Sequence, residues 1–154
     1  MELKEEDAPY LFELNNYEEV KRNAADPGFS SLEEAKDFIA NYSHYRLHGF
    51  GRWAVFRKDT GDFIGCCGLR KDEEPADVYM GFRLMRNQRG FGFATEAAIA
   101  SLDFGFQKAG LKRVIAYALP TNTASLKILQ KAGMSYERTS PWGGQDWLIY
   151  AIHA

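Results

Sequence analysis

One stretch of the sequence, Arg89-Gly-Phe-Gly-Phe-Ala-Thr-Glu-Ala97, combines residue types that suit the binding of an anion. It follows a strand-like segment, 78–84, and leads into residues 97–110, where apolar side chains recur at helical spacings of three and four. The first amides of a helix lack partners within the helix, and the helix dipole places about half a positive charge there. The two glycines expose the backbone to a ligand, and Arg89 adds a full charge. The stretch therefore predicts a site for a pyrophosphate group.

Two other kinds of glycine loop fit this stretch less well. The spacing Gly90-x-Gly92-x-x-Thr95 lacks the third glycine of the dinucleotide-binding fingerprint, and the strand before it lies among antiparallel signals. No Gly-Lys-Ser or Gly-Lys-Thr follows, which excludes the nucleotide-binding P-loop. A plain strand-to-helix turn that uses glycine for tightness is the remaining alternative for the loop taken alone.

The same residues resemble the acetyl-CoA loop of the GNAT acetyltransferases. Arg89, Gly92 and Ala94 stand at the family's spacing of Gln or Arg, then Gly, then Gly or Ala. The Thr-Glu-Ala that follows resembles the branch containing the ribosomal-protein N-terminal acetyltransferases, with spermidine, antibiotic and other small-amine relatives. Further similarity follows in order over residues 81–84, 122–125 and 129–134. The resemblance covers roughly the whole chain from residue 5 onward, and the ordered set is more specific than the loop alone.

The resemblance implies an N-acetyltransferase that moves an acetyl group from acetyl-CoA to a primary amine by direct attack. The acceptor would be a protein N-terminal α-amine or a small-molecule amine. The alternative is a catalytically inert CoA-binding module that serves as a sensor or an interaction domain. The family residues Arg89, Gly92, Asn122 and Ser125 are intact, which favours the enzyme.

The resemblance also implies which residues bind the cofactor. In relatives the pantetheine arm of CoA pairs with a strand of the sheet like an added strand, which here implicates residues 82–85. The family's cofactor-contacting asparagine corresponds to Asn122, although asparagine at this place also suits a helix cap. The predicted cofactor-binding residues are Phe82, Leu84, Met85, Arg89, Gly90, Phe91, Gly92, Phe93, Ala94, Thr95 and Asn122.

Two catalytic residues are predicted, Ser125 as the acid and Asp77 as the base. Ser125 fits the position that some ribosomal-type relatives use near the sulfur, whereas the tyrosine of other branches has no equivalent in this chain. Asp77, or Tyr79 two residues later, could accept a proton through water. Neutralising a lysine amine at pH 7 costs roughly 4–5 kcal/mol, against about 1 kcal/mol for an α-amine. The lack of an unmistakable base therefore favours a weakly basic acceptor.

The hydrophobic pattern predicts the elements that would position these residues. Helices are expected over residues 8–14, 31–44, 97–110 and 120–132, and strands over 53–57, 63–70, 77–85, 113–119, 136–139 and 146–152. Residues 15–29 are expected to form a loop, an acidic turn is expected around Pro75, and 141–144 should turn the last hairpin. A strand–helix–strand crossover is right-handed and places strands 77–85 and 113–119 parallel and adjacent. With the resemblance, this order predicts an α+β, three-layer fold with a mixed, mostly antiparallel sheet, splayed at a central parallel strand pair and flanked by helices.

The composition predicts one domain over residues 1–154. Hydrophobic residues make up 45% of the chain and aromatic residues 14%, which argues for a packed core rather than disorder. The net charge of −2 gives no reason to expect a nucleic acid or a membrane as partner. No apolar run reaches membrane-spanning length, and the acidic N-terminus is unlike a signal peptide, so a cytoplasmic location is expected.

Neither histidine nor cysteine spacing predicts a metal site. His44 and His48 are four residues apart, but the glutamate and third ligand of the zinc-protease signature are missing. Cys66 and Cys67 are adjacent, which suits neither a disulfide nor a zinc site, so they are expected to pack inside a strand.

The N-terminal end departs from the family pattern. Relatives open with a strand before the segment that residues 3–8 resemble, so the first strand is expected to be truncated here. Either the natural chain starts upstream of Met1 or the sheet has lost an edge strand. In the second case the strand at 53–56 becomes an edge whose unpaired backbone groups invite pairing with another chain. A homodimer through this edge, or cover by residues 45–51, is therefore expected.

Overall fold

The structure is a computed structural model that describes residues 1–73 and 77–154. Its helices are α1 (Ala8–Asn15), α2 (Glu18–Ala24), α3 (Leu32–Ala40), α4 (His44–His48), α5 (Phe93–Gln107) and α6 (Thr123–Lys131). Its strands are β1 (Arg52–Phe56), β2 (Phe63–Lys71), β3 (Val78–Leu84), β4 (Arg113–Ala118), β5 (Ser135–Trp142) and β6 (Gln145–His153). Among the helices described, none has the length and apolar character needed to cross a membrane. The turn predicted around Pro75 lies outside the described residues.

The strands form one sheet in the order β1-β2-β3-β4-β6-β5. The predicted fold class is confirmed, because β3 and β4 pair in parallel and every other neighbouring pair is antiparallel. Strands β2 and β3 are in register from Gly65↔Leu84 to Lys71↔Val78, whereas β3 and β4 are in register only at Tyr79↔Ile115. The two parallel strands therefore separate beyond Tyr79, and the sheet is splayed there as expected.

Helices cover both faces of the sheet and make three layers. On one face α5 and α6 bury Leu102 and Leu129 against Leu69 and Met80 of the central strands. On the other face α1 and α3 bury a second cluster against β1 and β2, made of Leu11, Leu14, Ala35, Ile39, Ala54 and Cys66. The strands that separate at the splay are therefore part of a sheet that is packed against helices on both faces.

The structure corrects several predicted boundaries. The segment predicted as a loop contains the short helix α2. Val20 is the one buried residue of this helix, so its sequence has too little apolar periodicity to indicate a helix. The helix predicted over 31–44 ends at Ala40, and α4 follows as a separate turn. Pro141 and Trp142 belong to β5, because the hairpin turns on Gly143 and Gly144, whose φ angles are 59° and 75°.

No strand precedes β1 in the described residues, and Met1 meets the outer edge of the sheet. The Ala54 amide donates to the Met1 carbonyl at 2.8 Å, and the Met1 amino group donates to the Ala54 carbonyl at 3.1 Å. Trp53 turns away from this edge and packs against Phe104 of α5, with ring centroids 5.1 Å apart. The homodimer through this edge stays a prediction.

Candidate active site

A cleft of about 430 Å³ opens where β3 and β4 separate. One wall is residues 80–84 of β3, and the opposite wall is Ala116 and Tyr117 of β4. One face of α6, along its whole length, and one side of α2 complete the cleft, and the turn before α5 closes one end. Because β4 does not pair with β3 beyond Tyr79, the β4-facing backbone groups of residues 80–84 lack a strand partner from β4. These groups face the cleft.

The glycine turn has the geometry of an anion site. Gly90 and Gly92 both have φ of 85°, a left-handed conformation that glycine adopts without strain, and a Cβ at either would meet no atom within 4 Å. The first hydrogen bond of α5 runs from the Glu96 amide to the Gly92 carbonyl at 3.0 Å, so the amides of residues 93–95 have no partner within the helix. Those amides and the dipole of a 15-residue helix lie at the end of the cleft.

Arg89 ties this turn to the strand and to α2. Its Nε donates to the Leu84 carbonyl at 3.1 Å, and its Nη1 lies 3.1 Å from Glu19. Arg86 also binds Glu19, at 2.6 Å. The hydrogen bond from Arg86 lowers the pKa of Glu19 to about 2, so its carboxylate is charged at neutral pH. Part of the positive charge that the sequence assigns to the turn is therefore balanced by Glu19.

Asn122 and Ser125 stand together at the start of α6. The Asn122 side chain caps the helix by accepting a hydrogen bond from the Ser125 amide at 3.3 Å. Both residues also line the cleft, so the capping role and a role in the site are compatible. Among the residues described, none forms a hydrogen bond with the Ser125 hydroxyl, which leaves it available to a ligand.

The cleft brings together all the predicted site residues except Asp77, Met85 and Phe91. Asp77 precedes β3 at the paired end and binds Arg113 at 2.6 Å. Met85 is buried against α1 and α3, on the far side of the sheet from α5. Phe91 is 67% exposed at the tip of the turn. The roles assigned to these three residues stay predictions without support from the shape of the cleft.

The cleft also contains residues that the sequence did not point to. Lys127 and Lys131 lie one turn apart on α6. Their spacing of four residues places them on the same face of the helix, and this spacing could have been used to predict that they lie together. Tyr117 comes from β4. Arg52 comes from β1, two strands away from the cleft, and only the sheet register could have revealed it.

The described residues hold no group of three or more His, Cys, Asp or Glu side chains placed to bind a metal ion. Burial raises the pKa of the Cys66 thiol to about 12 and that of Cys67 to about 11, so both thiols are protonated and unreactive at neutral pH.

Comparison with known sequences gives two findings. The family model described as "Acetyltransferase (GNAT) domain" matches residues 1–135. A relative from Bacillus licheniformis, described as uncharacterized N-acetyltransferase p20, is 34% identical over 134 residues, which span 86% of this chain and 75% of the relative. Neither description supports an inert module.

Two solved structures show the same fold at lower identity. Spermidine N-acetyltransferase from Vibrio cholerae, in complex with CoA and spermine, superposes with a TM-score of 0.84 at 17% identity, covering 99% of this chain and 93% of that one. Ribosomal-protein-S5-alanine acetyltransferase from Vibrio fischeri superposes with a TM-score of 0.77 at 20% identity, covering 99% and 91%. These likenesses concern the fold and leave the acceptor open.

Proposed function

The chain belongs to the GNAT acetyltransferase family and is an acetyl-CoA-dependent N-acetyltransferase, and we propose that acetyl transfer takes place in the cleft between β3 and β4 by direct attack of a primary amine. The acceptor is the α-amine of a protein N-terminus or a small-molecule amine of similar basicity. Acetyl-CoA, when bound, supplies the activated acetyl thioester.

One observation carries this proposal: the splayed edge of β3 leads straight into the anion site at the start of α5. The backbone edge of residues 80–84 can pair with an extended, amide-containing arm as a strand does. The amides of residues 93–95 then receive the phosphates at the end of that arm. Lys127 and Lys131 add positive charge on the neighbouring helix. The residues present therefore fit acetyl-CoA.

Ser125 is the proposed acid. Its hydroxyl lines the cleft and has no partner among the described side chains and amides, so it can donate a proton to the departing sulfur and take one back from the ammonium that forms when the amine attacks. Amides of β3 that face the cleft can donate hydrogen bonds to the acetyl oxygen, where negative charge develops during attack. The capping bond from Asn122 holds the first turn of α6, and with it Ser125, in place.

The proton-accepting groups of the cleft favour a weakly basic amine. Glu19 lines the cleft, but its lowered pKa makes it a poor base at neutral pH, and Asp77 is bound to Arg113 away from the cleft. An α-amine requires about 1 kcal/mol to become neutral at pH 7, against roughly 4–5 kcal/mol for a lysine side chain. An acceptor that loses its proton to water therefore suits this site.

The test is release of CoA from acetyl-CoA with and without pooled amines, with the acetylated product identified by mass. Amino acids, short peptides, polyamines and N-terminal peptides of ribosomal proteins form separate pools. We expect release to depend on at least one pool that contains α-amines. Binding of acetyl-CoA without amine-dependent release from any pool would instead indicate a CoA sensor.

A further inference from the structure

The guanidinium of Arg52 lies in the cleft although its backbone lies two strands away. Arg52 begins β1 and pairs with Gly68 of β2, which pairs in turn with Gly81 of β3. A Cβ added at Gly81 would stand 2.5 Å from Arg52 Nη2 and 2.7 Å from its Cζ. The guanidinium therefore lies directly on the Gly81 backbone, where the splay begins, and the absence of a side chain there is what admits it.

Two tyrosines fix the backbone of Arg52 and leave its side chain to the cleft. The Arg52 amide donates to the Tyr42 hydroxyl at 2.8 Å, and the Tyr45 hydroxyl donates to the Arg52 carbonyl. Tyr42 lies in the short connection between α3 and α4, and Tyr45 lies in α4. The start of β1 is thus held by contacts from outside the sheet, so the guanidinium is presented from a fixed position.

Arg52 lacks the counterion that its neighbouring arginines have. Arg70 binds Asp72 at 2.8 Å and Arg83 binds Asp26 at 2.9 Å. Within residues 1–73 and 77–154, no carboxylate forms an ion pair with Arg52, and its Nε is buried without a hydrogen-bond partner. Burial lowers the pKa of Arg52, and the charges of Arg83 and Arg70 act in the same direction. Since arginine stays charged in proteins, the cleft holds a partly buried cation without a counterion among the described residues.

We propose that Arg52 binds an anionic group of the acceptor, so that the substrate is an amine carrying a carboxylate near its nitrogen. This inference rests on the proposed function and names the class of its acceptor. A partly buried guanidinium that lacks a counterion binds a carboxylate through paired, charge-assisted hydrogen bonds. The carboxylate would supply the missing negative charge, and the amine would extend from it along the cleft toward Ser125.

The same charges disfavour a polyamine. A polycation in this cleft would meet the uncompensated charge of Arg52, and like charges in a partly desolvated site repel strongly. The carboxylate has two possible sources: the main chain of a free amino acid, whose amine is more basic, or an acidic side chain next to the α-amine of a peptide, which keeps the weak basicity that the site favours. Both present the same chemistry to Arg52.

The first test uses the wild-type protein with matched acceptors. One arm compares amino acids with their carboxamides, and the other compares Ala-Asp-amide with Ala-Asn-amide; spermidine is the cationic reference. Rates are compared at equal concentrations of neutral amine. We expect the carboxylate to raise kcat/KM by about 10- to 100-fold in at least one arm, the range of a hydrogen-bonded charge pair. Equal rates in both arms, or a preference for spermidine, would overturn the inference while leaving acetyl transfer intact. No turnover with any acceptor would overturn the proposed function as well.

The second test assigns the preference to Arg52. Arg52→Met removes the charge while keeping an unbranched chain, and we expect it to abolish the preference for carboxylate over carboxamide. Arg52→Lys should keep part of it, because lysine retains the charge without the planar pair of donors. Arg70→Met is the matched control, since Arg70 is already paired with Asp72 and should matter little. Thermal stabilisation by acetyl-CoA shows that each variant is folded. A preference that survives in Arg52→Met, or is lost equally in Arg70→Met, would contradict the assignment.

Discussion

At the residue scale, the proposed site depends on a few polar groups that form no hydrogen bond or ion pair with the described residues. The Ser125 hydroxyl is unbonded among the described residues, whereas Asn122 is committed to the α6 cap. The cap was predictable, because asparagine before a helix is a strong local signal. Arg52 was not predictable, because its position in the cleft depends on the pairing of three strands.

Ser125→Ala should lower kcat by about 10- to 1000-fold, because the departing sulfur loses its proton donor, while the Kd for acetyl-CoA stays nearly unchanged. Steady-state kinetics and equilibrium binding measure the two quantities separately. Thr123→Ala, two residues earlier on the exposed side of α6, is the control and should change neither. Wild-type turnover in Ser125→Ala would assign the serine a structural role and leave water as the acid.

Glu19 should make the stability of the protein sensitive to acid. Its pKa falls from 4.5 to about 2 on folding, so the anionic form favours the folded state, chiefly through the hydrogen bond from Arg86. This contribution is complete above pH 4.5 and is lost as the pH falls toward 2. Thermal unfolding of wild type and Glu19→Gln should therefore differ at pH 6 and converge near pH 2. Glu18→Gln changes the neighbouring, more exposed glutamate and should have the unfolding temperature of wild type at every pH. A difference between Glu19→Gln and wild type that stays constant with pH would contradict the role given to the Glu19 carboxylate.

At the element scale, the parallel pair β3–β4 decides where the site forms. The strand–helix–strand order predicts the pair, because such crossovers place their strands side by side. The extent of the splay was not predictable from either strand, since it depends on where pairing stops, after Tyr79↔Ile115. Helix α2 also escaped prediction, because it buries only Val20 and owes its position to Glu19 and the arginines of the turn.

Arg113 of β4 binds two carboxylates at the end where β3 and β4 pair. It lies 2.6 Å from Asp77, just before β3, and 2.7 Å from Glu137 of β5. Asp77→Asn should therefore lower the free energy of unfolding by about 1 kcal/mol and leave kcat within about twofold of wild type. Glu137→Gln, the other partner of Arg113, should also leave kcat within about twofold of wild type. Denaturant unfolding and kinetics check both variants. A 100-fold fall in kcat at unchanged stability, in Asp77→Asn alone, would restore Asp77 as the base.

At the scale of the whole molecule, the sequence predicted the fold class and most of the cleft, because the family motifs occur in order and each belongs to a different wall. The acceptor side could not be predicted in the same way. In the proposed site it includes one side of α2 and Arg52 at the start of β1, whose contacts with the cleft are long-range and leave no local pattern.

Thermal stabilisation by acetyl-CoA shows most directly whether the turn before α5 binds the cofactor. At about 100 times its Kd, the ligand should stabilise the wild type by roughly 2.7 kcal/mol. Gly92→Asp should abolish this shift, because a carboxylate would then stand where the phosphates bind. Gly110→Asp is the matched control: its φ of 67° is also left-handed and its surroundings are also open, but it lies beyond the far end of α5. We expect a full shift for Gly110→Asp and none for Gly92→Asp; a full shift for both would show that acetyl-CoA does not bind at the Gly92 turn.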